Sequence, residues 1–398
     1  MRSRITTIAC LLAGLLAFSH SGAYAADSAV ISRVFSQLAA NTSLADPSVI
    51  VMDEKTGSVL YEFNSDSPRK PASVIKLISA ASAYTYLSPS DSFSTTLFTG
   101  VDAKSMVIKG SLDPWVSTDH KVAVKMGRTS LARLEYNALS LLKEMNNGST
   151  KDTTIYYSDL YASEVSHMRK FLKDRNAATQ LKRVSANALE PLIGVEVFTS
   201  HSPTLQKIVD WVLIWSDNQL ADRVARLASV AAGNSLDDAG VAKTFKTLLT
   251  NLGISTANLV VKDASGLSRE NRVTARQISQ LLFAVHHDPK FAPIVTGLPI
   301  GGKSGTLQNR FLETAPDAVG LVRAKTGTLN GTTNLAGFVE SGENEYIFVI
   351  IADRHSRSYT VTKRVRATVD RVLGKIAKPL LPVLPTVPTV SESATATN

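Results

Sequence analysis

The chain has 398 residues, 44% hydrophobic and 19% charged, enough to bury the core of one large domain or two ordinary ones. Its only cysteine is Cys10 and its seven histidines are scattered, His286 and His287 being an isolated pair. The pattern therefore excludes a disulfide framework and calls for no metal and no cofactor, while the net charge of +9 suits anionic polymers or membrane surfaces better than nucleic acid.

Arg2 and Arg4, the apolar run 8–18 and Ala23-Tyr24-Ala25 form the three parts of a secretory signal peptide over residues 1–25, with a core too short to favour a retained membrane anchor. Its removal takes away two arginines, no acid and the cysteine, lowering the net charge from +9 to +7. Strand-like runs at 49–52 and 59–63 flank Lys55-Thr56-Gly57, which reads as a hairpin turn. Pro71 then precedes a nearly uncharged stretch, 72–90, apolar almost all round through Val74, Ile75, Leu77, Ile78, Ala80, Ala81, Ala83 and Tyr84. This predicts a buried helix opening near Ser73. Lys76 is the only charge in it and lies one turn from Ser73, where burial would lower its pKa toward a neutral amine able to take the serine proton. The helix start adds free N–H groups and a positive dipole end, suited to the oxyanion formed on attack. A capping serine beside a snorkelling lysine is the plain alternative, and Ser67-Pro68-Arg69-Lys70 shows the Ser-x-x-Lys pattern arising by accident.

Farther on, Leu131, Leu134, Ala138, Leu141 and Leu142 follow a helical period that Asn147-Gly148 breaks, and residues 155–157 read as a strand. A second clear helix start has Ser202 as cap, Pro203 in the first turn, and Leu205, Ile208, Val209 and Val212 at helical spacing. Ser216-Asp217-Asn218 interrupts its apolar face. Either this is a solvated helix end, as cheap as Ser185-Ala186-Asn187, or Ser216 relays a proton while the Asn218 amide serves the substrate carbonyl or Lys76. Lys303-Ser304-Gly305 sits among glycines and favours a loop. Lys325-Thr326-Gly327-Thr328 instead follows a strand-like run, 319–324, with further runs at 335–339 and 346–352, an antiparallel meander expected to hold the motif on an inner strand. There Lys325 would pair with a substrate carboxylate, Thr326 and Thr328 would offer hydroxyls, and Gly327 would let a ligand lie against the backbone. The Thr328 N–H, with that of Ser73, would form an oxyanion hole. Val361, Val365, Val369 and Val372 mark a core-packing helix with Lys363, Arg364, Arg366 and Arg371 around it. Residues 379–398 change to proline, valine, threonine, serine and alanine, the composition of a flexible tail.

Three motifs thus stand in one order: Ser73-Val74-Ile75-Lys76, Ser216-Asp217-Asn218 and Lys325-Thr326-Gly327-Thr328. They supply the parts of an acyl-serine enzyme. With them the chain resembles a penicillin-binding protein of the D-alanyl-D-alanine carboxypeptidase family, most specifically the low-molecular-mass class C group, peptidase family S13. The likeness includes the approach 53–60, Pro71-Ala72-Ser73, the segment Lys262-Asp263-Ala264-Ser265-Gly266-Leu267-Ser268-Arg269, Leu298-Pro299 through Gly305-Thr306-Leu307-Gln308-Asn309-Arg310-Phe311, and Leu335-Ala336-Gly337. It implies an α+β fold: a transpeptidase and β-lactamase-like domain with a five-stranded antiparallel sheet and helices on both faces, plus an inserted subdomain. The flanks 26–110 and 198–378 are expected to form the catalytic domain and 111–197 the insert.

The resemblance also implies acylation of Ser73 by the penultimate D-alanine of a peptidoglycan stem peptide, release of terminal D-alanine and hydrolysis, with β-lactams as slow-leaving acylators. Peptidoglycan and β-lactams are the implied partners, and a secreted, periplasmic or wall-associated location without a membrane span after signal cleavage follows. Oligomeric state stays open. Arg310 is implied as a contact for the stem-peptide side chain, with an ion pair to Glu313 as its alternative. Two departures stand out. Ser73 and Ser216 are only 143 positions apart, so the insert must be reduced. The segment 155–161 has Tyr157 where the family carries an early aspartate and no tryptophan after it, and Asp159 need not compensate, which leaves carboxypeptidase and endopeptidase preference open. A serine β-lactamase shares the three motifs, but the chain lacks a clear glutamate motif for fast deacylation. A wall-binding or drug-sensing pseudoenzyme is the non-catalytic alternative, opposed by the intact set of motif residues.

Overall fold

The computed structural model describes residues 27–379. The expected signal peptide lies outside the described residues, as does nearly all of the expected tail. Two hydrophobic patterns dominate, and each builds a sheet. In the first, strands β1 (Ser48–Asp53) and β2 (Val59–Phe63) form the hairpin around Lys55-Thr56-Gly57. A second sheet uses β3 (Ser94–Gly100), β4 (Ser105–Gly110), β5 (Thr154–Ser158), β6 (Gln180–Arg183) and β7 (Ile193–His201). The chain then returns to the first sheet through β8 (Val322–Leu329), β9 (Thr332–Ser341) and β10 (Asn344–Ala352). The first sheet is antiparallel throughout, in the order β2-β1-β10-β9-β8. The second has the order β6-β5-β4-β3-β7, with β4, β5 and β6 parallel.

Alternation along the strands explains why the first sheet is covered on both faces. Ile347, Val349 and Ile351 of β10 join Ile50, Met52, Ala336 and Phe338 in a core shared with the helix Lys76–Tyr86 and its neighbours. Tyr346, Phe348 and Ile350 point the other way, with Val49, Val51 and Leu335, against the helices Ser28–Ala39 and Tyr359–Ile376. The result is the expected five-stranded antiparallel sheet with helices on both faces. Val365, Val369 and Val372 are buried in that second core, so the valine stripe does pack as its spacing predicts.

Two expectations need correction. The Lys325 motif is not on an inner strand. Because β1 pairs with β10 rather than with β8, the meander closes on its far side and β8 is left at the sheet edge. A short segment covers only its beginning: Ala324 donates its N–H to Pro299 O and Gly301 donates to Val322 O. The second sheet also takes in β3 and β4, assigned by sequence to the flanking catalytic domain, and runs to His201. Leu97, Met106 and Ile108 pack there with Leu131, Leu134, Ile155 and Tyr157 in a core of their own. That hydrophobic sharing puts the inserted unit nearer to 94–201 than to 111–197. Among the described residues, no helix is long and apolar enough to cross a membrane.

Candidate active site

Ser73 sits in a 3-10 turn, Ala72–Ile75, that runs directly into the helix Lys76–Tyr86. Ala72 has φ +46, a left-handed conformation that costs free energy in any residue with a Cβ and persists only when neighbours enforce it. The neighbours are identifiable. Asn334 of β9 donates its amide to Lys70 O at 2.9 Å and Pro71 O at 2.8 Å. Gly266 lies so close that a Cβ there would come within 1.9 Å of Ala72 O, and Gly266 itself has φ +84. Gly327 of β8 meets Pro71 O, which would be 2.7 Å from an added Cβ. Both glycines are thus required by close approach to the nucleophile turn.

The apolar helix face makes Lys76 fully buried. Its Nζ is 2.8 Å from Ser73 Oγ, 2.7 Å from Asn218 Oδ1 and 2.5 Å from Ser265 O. Burial pushes the amine down to about 8, against the raising influence of Asp222, Asp263 and Asp217. A neutral amine has two N–H donors and one lone pair. The amide oxygen and the carbonyl take the two donors, since neither can donate in return. The lone pair is left for the Ser73 hydroxyl, the arrangement a general base needs.

Ser216-Asp217-Asn218 forms the joint between two helices, Leu205–Trp215 and Asn218–Ala231. Ser216 closes the first in the left-handed region, φ +61, and Asp217 caps the second by accepting the Leu220 N–H at 3.0 Å. Asp217 also pairs with Arg128 at 2.9 Å, which ties the joint to the inserted unit. The first helix begins two residues later than Ser202 suggests: Thr204 is its cap, and Ser202 Oγ is engaged with Phe93 N and Pro203 O.

Lys325 is fully buried on β8, with Nζ 2.9 Å from Ser216 Oγ and 3.3 Å from Thr326 O. Burial first, and then the charge of Lys76, hold its pKa well below the usual amine range. Ser73, Ser216, Asn218, Thr326, Thr328 and Arg310 all line one cavity of about 810 Å³. Lys325 does not. Ser216 and Thr326, which hold its amine, stand at the cavity wall.

Arg310 departs from its alternative reading as a partner of Glu313. Its guanidinium pairs with Asp370 of the helix Tyr359–Ile376, not with Glu313. It donates to Arg366 O as well, at 3.4 Å. Neither Tyr157 nor Asp159 lines the cavity. Tyr157 belongs to the core of the inserted unit, and Asp159 uses its backbone oxygen to accept the Leu112 N–H.

The 262–269 loop was legible only as a resemblance, yet it shapes the base. Asp263 accepts backbone N–H groups from Ser265, Gly266, Leu267 and Ser268. That nest of bonds aims Ser265 O at Lys76. Asp222 holds the same loop by accepting the Ala264 N–H at 2.9 Å. Asn334 and Thr306, the latter 2.9 Å from Thr326 Oγ1, complete the support.

A family model for the D-Ala-D-Ala carboxypeptidase 3 (S13) family matches residues 32–148 and 167–376. The chain belongs to this S13 family. It is a serine-type D-Ala-D-Ala carboxypeptidase family, and similarity to its members spreads along the chain. Carboxypeptidase DacB of Mycolicibacterium smegmatis is 27% identical over 333 residues, covering 73% of this chain and 72% of its own. The D-alanyl-D-alanine carboxypeptidase of Actinomadura sp. strain R39 is 38% identical over 168 residues, 40% of this chain and 31% of that one. Penicillin-binding protein 4 (dacB) from Haemophilus influenzae shares the S13 fold with a TM-score of 0.64 at 18% identity, over 85% of this chain and 98% of its own. A second structure of that protein contains a β-lactam.

Proposed function

We propose that this S13 protein is a secreted D-Ala-D-Ala carboxypeptidase that cuts peptidoglycan stem peptides through an acyl-enzyme on Ser73. The observation that carries this is the placement of Lys76 Nζ, 2.8 Å from Ser73 Oγ, with its other two partners restricted to accepting. Neutral Lys76 takes the hydroxyl proton as Ser73 Oγ attacks the carbonyl carbon of the penultimate D-alanine. The oxygen of that carbonyl becomes anionic and is met by the N–H groups of Ser73 and Thr328. Collapse breaks the peptide C–N bond. The departing amine receives its proton through Ser216, whose hydroxyl is held by Lys325. Water then hydrolyses the ester, with Lys76 again as base.

Thr326 and Thr328 offer hydroxyls to the terminal carboxylate, and Arg310 lines the same cavity as a contact for the longer peptide. Cleavage of crosslinks, an endopeptidase action, belongs to the same chemistry whenever the departing amine carries more than one residue. β-Lactams fit the site as mimics of the dipeptide, and the β-lactam in the Haemophilus relative supports this reading. The signal-peptide pattern of residues 1–25 supports a periplasmic or wall-associated location.

The test is to incubate the purified protein with a fluorescent penicillin and follow the intact mass, then to measure D-alanine release from a pentapeptide ending in D-Ala-D-Ala. A lasting adduct on Ser73 with D-alanine release is expected. Rapid turnover without an adduct would transfer the protein to the β-lactamases. No reaction with either compound would leave a non-catalytic binder.

A further inference from the structure

A substrate ending in a carboxylate needs a countercharge at the cavity wall, and with Lys325 buried the cations that line the wall are Arg310, Lys363 and Arg366. Arg310 is paired with Asp370 and Lys363 is exposed, whereas Arg366 reaches the Thr328 hydroxyl. Lys325 is spent on Ser216 and Thr326, and a buried amine can shed its proton and with it its charge. We propose that Arg366, on the helix Tyr359–Ile376, is the cation that binds the carboxylate of the departing D-amino acid and the equivalent carboxylate of β-lactams. The proposal rests on the carboxypeptidase reading above.

Four observations support it. Arg366 lines the cavity together with Ser73, Thr326 and Thr328. Its Nη2 is 3.2 Å from Thr328 Oγ1, so hydroxyl and guanidinium present donors to the same space. Third, Arg366 forms no ion pair among the described residues, because Asp370, one turn along the helix, is engaged by Arg310. Burial first, and then the Arg310 charge, pull its pKa below the ordinary range, against the raising influence of Tyr359 and Asp370. Finally, the helix is anchored by Val365 and Val369, both buried, and the Arg366 carbonyl is held by Arg310. The guanidinium therefore starts from a fixed base.

Arginine suits the task. It remains charged at any pH the protein meets and offers paired donors to a carboxylate. Thr328 then has two roles, its hydroxyl shared with Arg366 and its N–H turned to the reacting carbonyl. Binding of the carboxylate by Arg366 would fix the scissile bond relative to Ser73.

The experiment compares Ser73 acylation by benzylpenicillin and by its methyl ester, in the unaltered protein and in Arg366→Gln and Arg366→Lys. Loss of one charge-assisted contact predicts that Arg366→Gln slows the free acid roughly ten- to a hundredfold and collapses the preference for acid over ester. Arg366→Lys keeps the larger part of that preference. An acid-to-ester ratio unchanged in Arg366→Gln, whether both rates fall together or neither falls, overturns the assignment. If Arg366→Gln fails to fold, Arg366→Met, which keeps the aliphatic stem and removes the charge, takes its place, and an acid-to-ester ratio unchanged there overturns the assignment as well. Failure of the unaltered protein to be acylated by the acid would instead overturn the carboxypeptidase reading itself.

Discussion

The two ends of the cavity carry positive charge in different ways. At the Ser73 end the cations are lysines, Lys76 and Lys325, both fully buried and both held below the ordinary amine range. At the other end, beside the exposed Lys363, stand two arginines, Arg310 and Arg366, partly exposed and borne on or paired with the helix Tyr359–Ile376. A buried lysine gives up its charge and so can move a proton, whereas an arginine cannot, and so serves as a fixed counter-ion. The contrast separates proton transfer from anion recognition within one site.

The sharpest way to break that contrast is to exchange the cations. Ser73→Ala removes the nucleophile and is expected to abolish the adduct by intact mass. Lys76→Arg should be nearly as inactive as Lys76→Ala, with penicillin acylation down by about a thousandfold in each, the middle of the range for a general base. Retained activity in Lys76→Arg would show that charge alone is required at that position. The corresponding exchange at Arg366, to lysine, is expected to be mild.

Acidity sharpens the same comparison. The neutral form of Lys76 is the base, and its pKa lies near 8. Below that value the protonated form dominates, so the acylation rate should fall about tenfold per pH unit as pH drops and level off above about 8. The acid-to-ester preference set by the arginine end should stay flat over the same range. A stopped-flow profile with both forms of the penicillin measures the two together, and a preference that tracked the Lys76 limb would join the two ends into one unit.

Lys325→Ala should slow acylation by roughly a hundredfold, and equally on acid and ester, because Lys325 acts through Ser216 and not on the carboxylate. A loss confined to the acid would restore Lys325 as the carboxylate partner and displace Arg366.

Much of the lysine end was legible in the sequence. Lys76 was the single charge in an apolar helix one turn from Ser73, and burial of that face follows from its composition. The third motif was legible as a strand but not as an edge strand. Its position depends on β1 joining β10, a pairing between residues about 300 apart in the chain, which no local pattern encodes. The same limit hid β3 and β4, whose alternation is that of any half-buried strand and does not say which sheet they join. Arg366 was hidden for a different reason. It stands beside a regular valine stripe, where a cation reads as a solvated flank, and only the approach of Thr328 from a distant strand turns that flank into a wall of the site.

The smallest expected effect on activity tests whether the two arginines are separate. Asp370 is buried and engages Arg310 and the Thr314 hydroxyl at 3.2 Å. Asp370→Asn keeps the shape and removes the charge, so Arg310 loses its ion pair within a cavity that water can enter. The cost to stability should be about 2 kcal/mol, the size of a charge-assisted bond lost at a partly wet site, and urea unfolding reads it directly. Arg366 makes its Thr328 contact without Asp370, so the preference for acid over ester should persist in this variant. If it collapses as in Arg366→Gln, the pair Arg310 and Asp370 orients Arg366 through the carbonyl that Arg310 holds, and the arginine end works as one coupled unit.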